Sequence, residues 1–250
     1  MLALAVGEFI RRERVVFKSE QAEQKALHDL VSYVDRTSEE KLVEQLKQIM
    51  PQAGFINEES GRTHEHAEWV WVVDPLDGTT NFVHGIPHYC ISIALLHEGM
   101  PVVGVVYDVA TNDLFTAVKG QGSALNNKKI TVSAQNDIRQ SLIGTGFPVN
   151  RFDRLDGYLE VLRKVIMETR GVRRIGTAAL DLCYVAAGRF EAFYEIGLNI
   201  WDVAAGVLIV QEAGGKVSDF KGGENYLEGR EILASNKRIH SLMLSWLETV

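Results

Sequence analysis

Cysteine is scarce in this chain: Cys90 and Cys183 are the only two among 250 residues. Each lies in an apolar stretch, so buried thiols in a reducing, cytoplasmic compartment are expected. Positive charge is short as well. With 26 Lys and Arg against 33 Asp and Glu, the net charge is -7, which argues against broad, sequence-independent nucleic-acid binding and predicts no direct nucleic-acid contact. Long apolar runs are missing. The start, MLALAVGEFIRRER, is too short to span a membrane and has no basic segment before its apolar part, so an amphipathic first helix is expected rather than a signal peptide or a membrane anchor. Internal repeats, low-complexity segments and Pro/Ser-rich linkers are also lacking. What is present, 46% hydrophobic and 24% charged residues, is the composition of a globular protein with enough chain for one large or two small domains.

The first fifty residues read as helical. Leu42, Leu46 and Ile49 recur at helical spacing, DRTSEEK supplies a start with Asp35 as N-cap, and Pro51 is the stop. The period then changes. WVWVVD, ISIALLHEG and PVVGVVYDV are dense in β-branched and aromatic residues, with tight turns expected at Glu98–Gly99, at Thr111–Asp113 and at NNKK near 127. After about residue 138 strand and helix alternate: SLIGTGF, a helix over 155–169, GVRRIG, AALDLCYVAAG, FEAFYEIG and WDVAAGVLIVQEAGG, whose closing glycines suit a C-cap. The expected fold class is therefore α/β, with an α+β half over 1–138 and an α/β half over 139–250 packed as one body.

Residues 71–82, WVVDPLDGTTNF, carry the chemistry. Pro75 biases Asp74 toward extended backbone, which predicts that Asp74 ends a strand and points from its tip. Gly78 permits a tight turn, and Thr79 and Thr80 suit the cap of a helix beginning at Asn81, leaving N–H groups near Gly78 and Thr79 for an anion. Two carboxylates beside an anion cradle repel one another unless a hard divalent cation, Mg²⁺ above all, stands between them. That points to metal-assisted phosphoryl chemistry. A DxxDG pattern alone is most often a plain turn. The context adds Glu58 in FINEES, just upstream at a strand-to-loop junction, and Asp202 in NIWDVAAG, at the start of an apolar helix. A rival, the hhhDxDGT nucleophile of haloacid dehalogenase-type phosphatases, fits poorly: DxD places both acids on one face of a strand and DPLD does not.

FINEES (55–60), WVVDPLDGTTNFVHGIP (71–87), GTAALDL (176–182) and WDVAAGVLIVQEAGG (201–215) together resemble the inositol monophosphatase family of Mg²⁺-dependent, Li⁺-sensitive phosphatases. The resemblance covers nearly the whole chain. It implies a sugar-phosphatase fold of stacked αβαβα layers, a homodimer, and two or three Mg²⁺ ions. By that resemblance Glu58, Asp74 and the Leu76 carbonyl hold one ion, and Asp74, Asp77 and Asp202 hold a second. Glu58 also helps a third through water. Thr79, supported by Asp35, orients the attacking water. Gly78 and Thr79 hold the phosphate, and Asp77, Ala178 and Glu195 line the sugar-alcohol side. The activity implied is hydrolysis of a phosphate monoester, inositol 1-phosphate or a similar polyol phosphate, by direct attack of water without a phosphoenzyme. Related members act on fructose 1,6-bisphosphate, histidinol phosphate or 3′-phosphoadenosine phosphates, and some bacterial members resemble transcription antitermination partners that work through a protein surface. Magnitudes favour metals as the main agents, because phosphate-monoester hydrolysis demands accelerations up to ~10²¹-fold, of which a positioned base supplies only ~10²–10⁴.

Weaker signals are read conservatively. His84, His88 and Cys90 lack a regular helix and an evident fourth ligand, so packing is expected there rather than zinc. HEH at 64–66 reads as a solvated loop, and Arg170, Arg173 and Arg174 as a surface stripe. The stretch before the first helix is short for the family. Gln24 and Lys25 compete for the place of a family lysine, and Asn199 stands where some members carry histidine. These departures bear on substrate choice rather than on the acids.

Overall fold

The computed structural model describes residues 2–26, 29–148, 152–248 and 250, with the side chains of 24–30 outside the described set; Gln24 and Lys25 therefore lie outside it. The chain opens with α1 (Leu2–Val16), a hairpin of β1 (Ala22–Ala26) and β2 (Asp29–Ser32), and α2 (Tyr33–Ile49). Then come β3 (Gly54–Asn57), β4 (Gly61–Thr63), β5 (Trp69–Asp77), the short α3 (Thr79–His84), β6 (Cys90–His97), β7 (Met100–Asp108), β8 (Asp113–Val118), β9 (Gly122–Leu125) and β10 (Lys128–Ile130). The remainder is β11 (Leu142–Thr145), α4 (Leu155–Glu168), β12 (Gly171–Arg173), α5 (Ala178–Ala186), β13 (Ala192–Ile196), α6 (Ile200–Glu212), β14 (Lys216–Ser218), β15 (Glu231–Ser235) and α7 (His240–Leu247).

Two large sheets organise these elements. The first has eight strands in the order β10-β9-β8-β7-β6-β5-β3-β4, and the second has five in the order β12-β11-β13-β15-β14. Within the first, only the β3–β5 contact is parallel; in the second, β11 runs parallel to both β12 and β13. Side chains alternate along each strand, and that period of two sorts the core into layers. Val70 and Val72 of β5 pack with α5 and α6, whereas Trp71 and Val73 face α1 and α2 with Ile10, Leu42 and Leu46. On β13, Phe193 joins α5 and α6, while Ala192, Tyr194 and Ile196 turn to α4 and α7 with Val161, Val165 and Met243. The stack is therefore α1/α2, first sheet, α5/α6, second sheet, α4/α7, an αβαβα mixed architecture. Helices α5 and α6 are apolar on all sides because both faces are covered.

Two expectations change here. The first fifty residues are not continuously helical: the β1–β2 hairpin separates α1 from α2, because AEQKA and DLVS lack an apolar stripe that a helix could bury. Asp35 is not the N-cap of α2. Ser32 is, its hydroxyl accepting from the Val34 N–H, and Asp35 sits at the third helical position. The expected tight turns do form, with Glu98 and Gly99 at φ 50° and 77° and Asn126 and Asn127 at φ 50° and 63°, the left-handed backbone that two-residue hairpin loops need.

Candidate active site

Strand β5 does not end at Asp74. It runs through Pro75 to Asp77, and its pairing with β6 shifts between those two acids: Asp74 lies opposite Ser92 and Asp77 opposite Cys90. Three steps on β5 match two on β6, so one extra residue is bulged out. The bulge resets the alternation. Acids three apart, which would face opposite ways on a regular strand, both turn toward the α5/α6 layer. Pro75 is tolerated at such an irregularity because no ladder hydrogen bond is asked of it.

Asp74 is buried, with 2% of its surface exposed, and its Oδ1 accepts from the Leu76 N–H at 2.9 Å. Asp77 accepts the Ala179 N–H on Oδ2 at 2.9 Å, with the Cys90 thiol 3.8 Å from the same oxygen. Its backbone donor thus lies in the first turn of α5, immediately after Ala178. The chain reverses at Gly78, at φ 93°, which caps α3; a Cβ there would meet Thr177 Cγ2 at 2.6 Å and the His88 carbonyl at 3.0 Å. Only glycine meets both demands. Helix α3 thus begins at Thr79, two residues before the expected Asn81. The Thr79 hydroxyl is not its cap: it reaches Asp35 Oδ1 at 2.9 Å and the Leu76 carbonyl at 3.0 Å.

Helix α2 holds the other side. Asp35, fully buried, accepts the Ser32 N–H and hydroxyl on Oδ2 at 2.9 and 2.7 Å, leaving Oδ1 for Thr79. Glu39, one turn later on the same face, accepts the N–H groups of Glu59 and Ser60, both at 2.8 Å. It thereby fixes the loop that presents Glu58, whose own N–H donates to the Val73 carbonyl. Asp202 stands in the first turn of α6 and takes the Asn199 N–H on Oδ2 at 2.6 Å. That helix start is tied to the first sheet by Ser92, whose hydroxyl donates to the Trp201 carbonyl.

The acids feel one another. Burial, then Glu58, Asp77 and Asp202, push the Asp74 carboxyl well above its ordinary range. Burial and Asp202 raise Asp77 to about 8 against the pull of the Ala179 N–H, Cys90 and Arg174. Burial raises Glu195 to about 8, with Arg174 opposing it. Burial raises Asp35, and its bonds from Ser32 and Thr79 oppose that. Among the described residues no three His, Cys, Asp or Glu side chains close to metal-ligating spacing. The donor set nevertheless fits a hard divalent cation: every candidate donor is oxygen, and the acids destabilise one another as anions.

The sequence profile of the inositol monophosphatase family matches residues 1–250. The chain belongs to the inositol monophosphatase family. Among its relatives, Nus factor SuhB of Pseudomonas aeruginosa is 43% identical over 251 residues, covering 98% of this chain and 93% of that protein. The extragenic suppressor protein suhB of Bartonella henselae has a crystal structure that superposes with a TM-score of 0.93 at 41% identity, covering 99% of this chain and 95% of the other. The inositol monophosphatase from Anabaena gives 0.88 at 37% identity, covering 100% and 93%.

For this member of the family, the structure brings Glu58, Asp74, Asp77 and Asp202 into one electrostatic cluster and joins Asp35 to Thr79. Glu195 stands at the end of β13, near enough for Asp202 and Asp77 to act on its carboxyl. Sequence reasoning missed Glu39, although its place four residues after Asp35 was a usable signal. Arg174 is exposed, as expected of a surface stripe, but its guanidinium also lies over the Phe147 ring at 5.7 Å, and its charge acts on Asp77 and Glu195, which sequence reasoning did not foresee. Asp181, buried with Oδ1 lacking a partner, was not singled out either. His88 packs edge-on against Tyr184.

Proposed function

We propose that the protein hydrolyses a phosphate monoester with Mg²⁺, most suitably inositol 1-phosphate or a similar polyol phosphate. The observation that carries this is the bulge that turns Asp74 and Asp77 to one face, where Glu58 and Asp202 join them. Glu58, Asp74 and the Leu76 carbonyl would hold one ion, Asp74, Asp77 and Asp202 a second, and Glu58 a third through water. When bound, the ions supply positive charge that offsets the acids and stabilises charge developing on the phosphate and on the attacking water.

The chain's own groups have separate tasks. The Thr79 hydroxyl carries one proton and has two acceptors within reach, Asp35 and the Leu76 carbonyl. Donation to Asp35 frees the Leu76 carbonyl for a cation and turns a Thr79 lone pair outward to accept a hydrogen bond from water. The Gly78 and Thr79 amides lead into α3, where the first N–H groups of a helix lack acceptors of their own and suit a phosphate oxygen. Asp77, Ala178 and Glu195 line the alcohol side. Water attacks phosphorus directly, and a trapped phospho-aspartate would contradict this.

The experiment is phosphate release with Mg²⁺ from inositol 1-phosphate, fructose 1,6-bisphosphate, histidinol phosphate and 3′-phosphoadenosine 5′-phosphate, with Asp74→Asn beside the wild type. One substrate turned over strongly, and lost in the variant, supports the reading. No turnover of any by folded, Mg²⁺-binding protein contradicts it. A second reading is a partner-binding role, favoured by the name of the Pseudomonas aeruginosa relative, Nus factor SuhB. Such a role survives Asp77→Asn, whereas hydrolysis does not.

A further inference from the structure

Gly146 faces the Glu195 carboxyl so closely that a Cβ on it would lie 2.0 to 2.1 Å from the carboxyl atoms. The spacing between these two residues therefore shapes the alcohol side of the site. Gly146 follows β11 and Glu195 belongs to β13, parallel neighbours in which Thr145 is registered with Tyr194. At this end of the ladder the carbonyls of Gly146 and Tyr194 are each within reach of side-chain hydroxyls, and a buried carbonyl without a donor is costly.

The two hydroxyls are buried. Tyr158 reaches in from α4 on the outer face of the sheet, its hydroxyl 2.9 Å from the Gly146 carbonyl and 3.1 Å from the Tyr194 carbonyl. Thr145 Oγ1 lies 2.8 Å from the Tyr158 hydroxyl, 3.0 Å from the Tyr194 carbonyl and 3.2 Å from the Gly146 carbonyl. The two hydroxyls and two carbonyls form one buried cluster in which each hydroxyl lies within hydrogen-bond reach of both carbonyls. Tyr158 and Thr145 are both fully buried, leaving water no access to compete. We propose that Tyr158 is a positioning residue: it clamps the ends of β11 and β13, sets the Gly146–Glu195 spacing, and so determines how a polyol leaving group fits. Its kinetic consequence rests on the phosphatase reading above.

Tyr158→Phe removes the hydroxyl and keeps the ring that packs on Tyr194 at 5.3 Å. Three measurements are made on the full chain with Mg²⁺: kinetics with inositol 1-phosphate and with p-nitrophenyl phosphate, which has no polyol; calorimetric binding of inositol 1-phosphate; and amide exchange by mass spectrometry. The expected result is a KM and a Kd for inositol 1-phosphate raised about 5–10-fold, one hydrogen bond's worth of fit. The expected kcat is nearly unchanged and p-nitrophenyl phosphate kinetics are unaltered. Exchange quickens in 142–148 and 192–197 but not in 69–74, and Thr145→Val reproduces the exchange change. Equal KM increases for both esters, an unchanged Kd, unaltered exchange, or no binding of inositol 1-phosphate by the wild type would each overturn the proposal. Binding without hydrolysis in the wild type sinks the phosphatase reading alone, and the Kd and exchange then decide the role of Tyr158.

Discussion

The ends of the two sheets are built on opposite principles. Where β3, β5 and α6 meet, Glu58, Asp74, Asp77 and Asp202 crowd together, and burial makes the charges on Asp74 and Asp77 harder to keep. In the second sheet two groups of buried polar side chains are instead paired, although the Tyr194 hydroxyl lacks a partner. Tyr158 and Thr145 satisfy two carbonyls, and His240 has Ser235 Oγ on Nδ1 at 2.8 Å and Ser218 Oγ on Nε2 at 3.0 Å. Satisfied hydroxyl networks rigidify a core. Unbalanced carboxylates cost stability until a cation arrives. The first arrangement suits chemistry and the second suits support.

Substitutions separate the two regions by their effects. The largest is expected at the acids: Asp77→Asn lowers Mg²⁺-dependent phosphate release at least ~10³-fold, while the melting temperature of the metal-free protein holds or rises, because the amide oxygen can still accept the Ala179 N–H and one buried acid beside others is gone. A clear fall in that temperature would mean that Asp77 is structural. Next is His240. Burial, with Lys216 adding to it, lowers its pKa from 6.5 to about 4. As pH falls the unfolded chain takes up the proton first, so the stability due to neutral His240 is whole above 6.5 and drains away between 6.5 and about 4. The loss approaches about 3 kcal/mol, read as urea midpoints against pH and flattened in His240→Asn.

Glu39→Ala strips the carboxylate from two loop N–H groups. About 2 kcal/mol of stability should go, together with about tenfold in Mg²⁺ affinity as the Glu58 loop loosens, an affinity change of roughly 1.4 kcal/mol. Unchanged affinity in calorimetry would detach Glu39 from the acid cluster. The smallest effect is expected for Ser32→Ala, which removes the cap of α2 and one donor to Asp35 and costs about 1 kcal/mol in chemical unfolding.

The layers were largely legible in the sequence because they follow periodicity. Strands β5 to β8 and helices α4 to α6 have apolar residues at spacing two or at helical spacing, and a buried layer demands that pattern. The hairpin β1–β2 was not legible: AEQKA shows no apolar stripe at either period, and its order comes from pairing. The four acids were readable as residue types at strand and helix ends, and the family resemblance implied that they converge, but the device that brings them together was not legible. Their convergence depends on one bulged residue between Asp74 and Asp77, which no alternation rule announces. Asp35 was misread as a cap because Ser32, the true cap, stands at the end of a strand that went unrecognised. Arg174 looked like one of three similar arginines, and only the path of β12 into α5 distinguishes it.

The most direct test of the central claim, that these acids form a divalent-cation site, is calorimetric titration of Mg²⁺ into the metal-free wild type and Asp74→Asn at neutral pH. At least two Mg²⁺ ions bound per chain in the wild type, with binding largely lost in the variant, is the result predicted. Absence of Mg²⁺ binding in the wild type, or the same isotherm for both proteins, would contradict it.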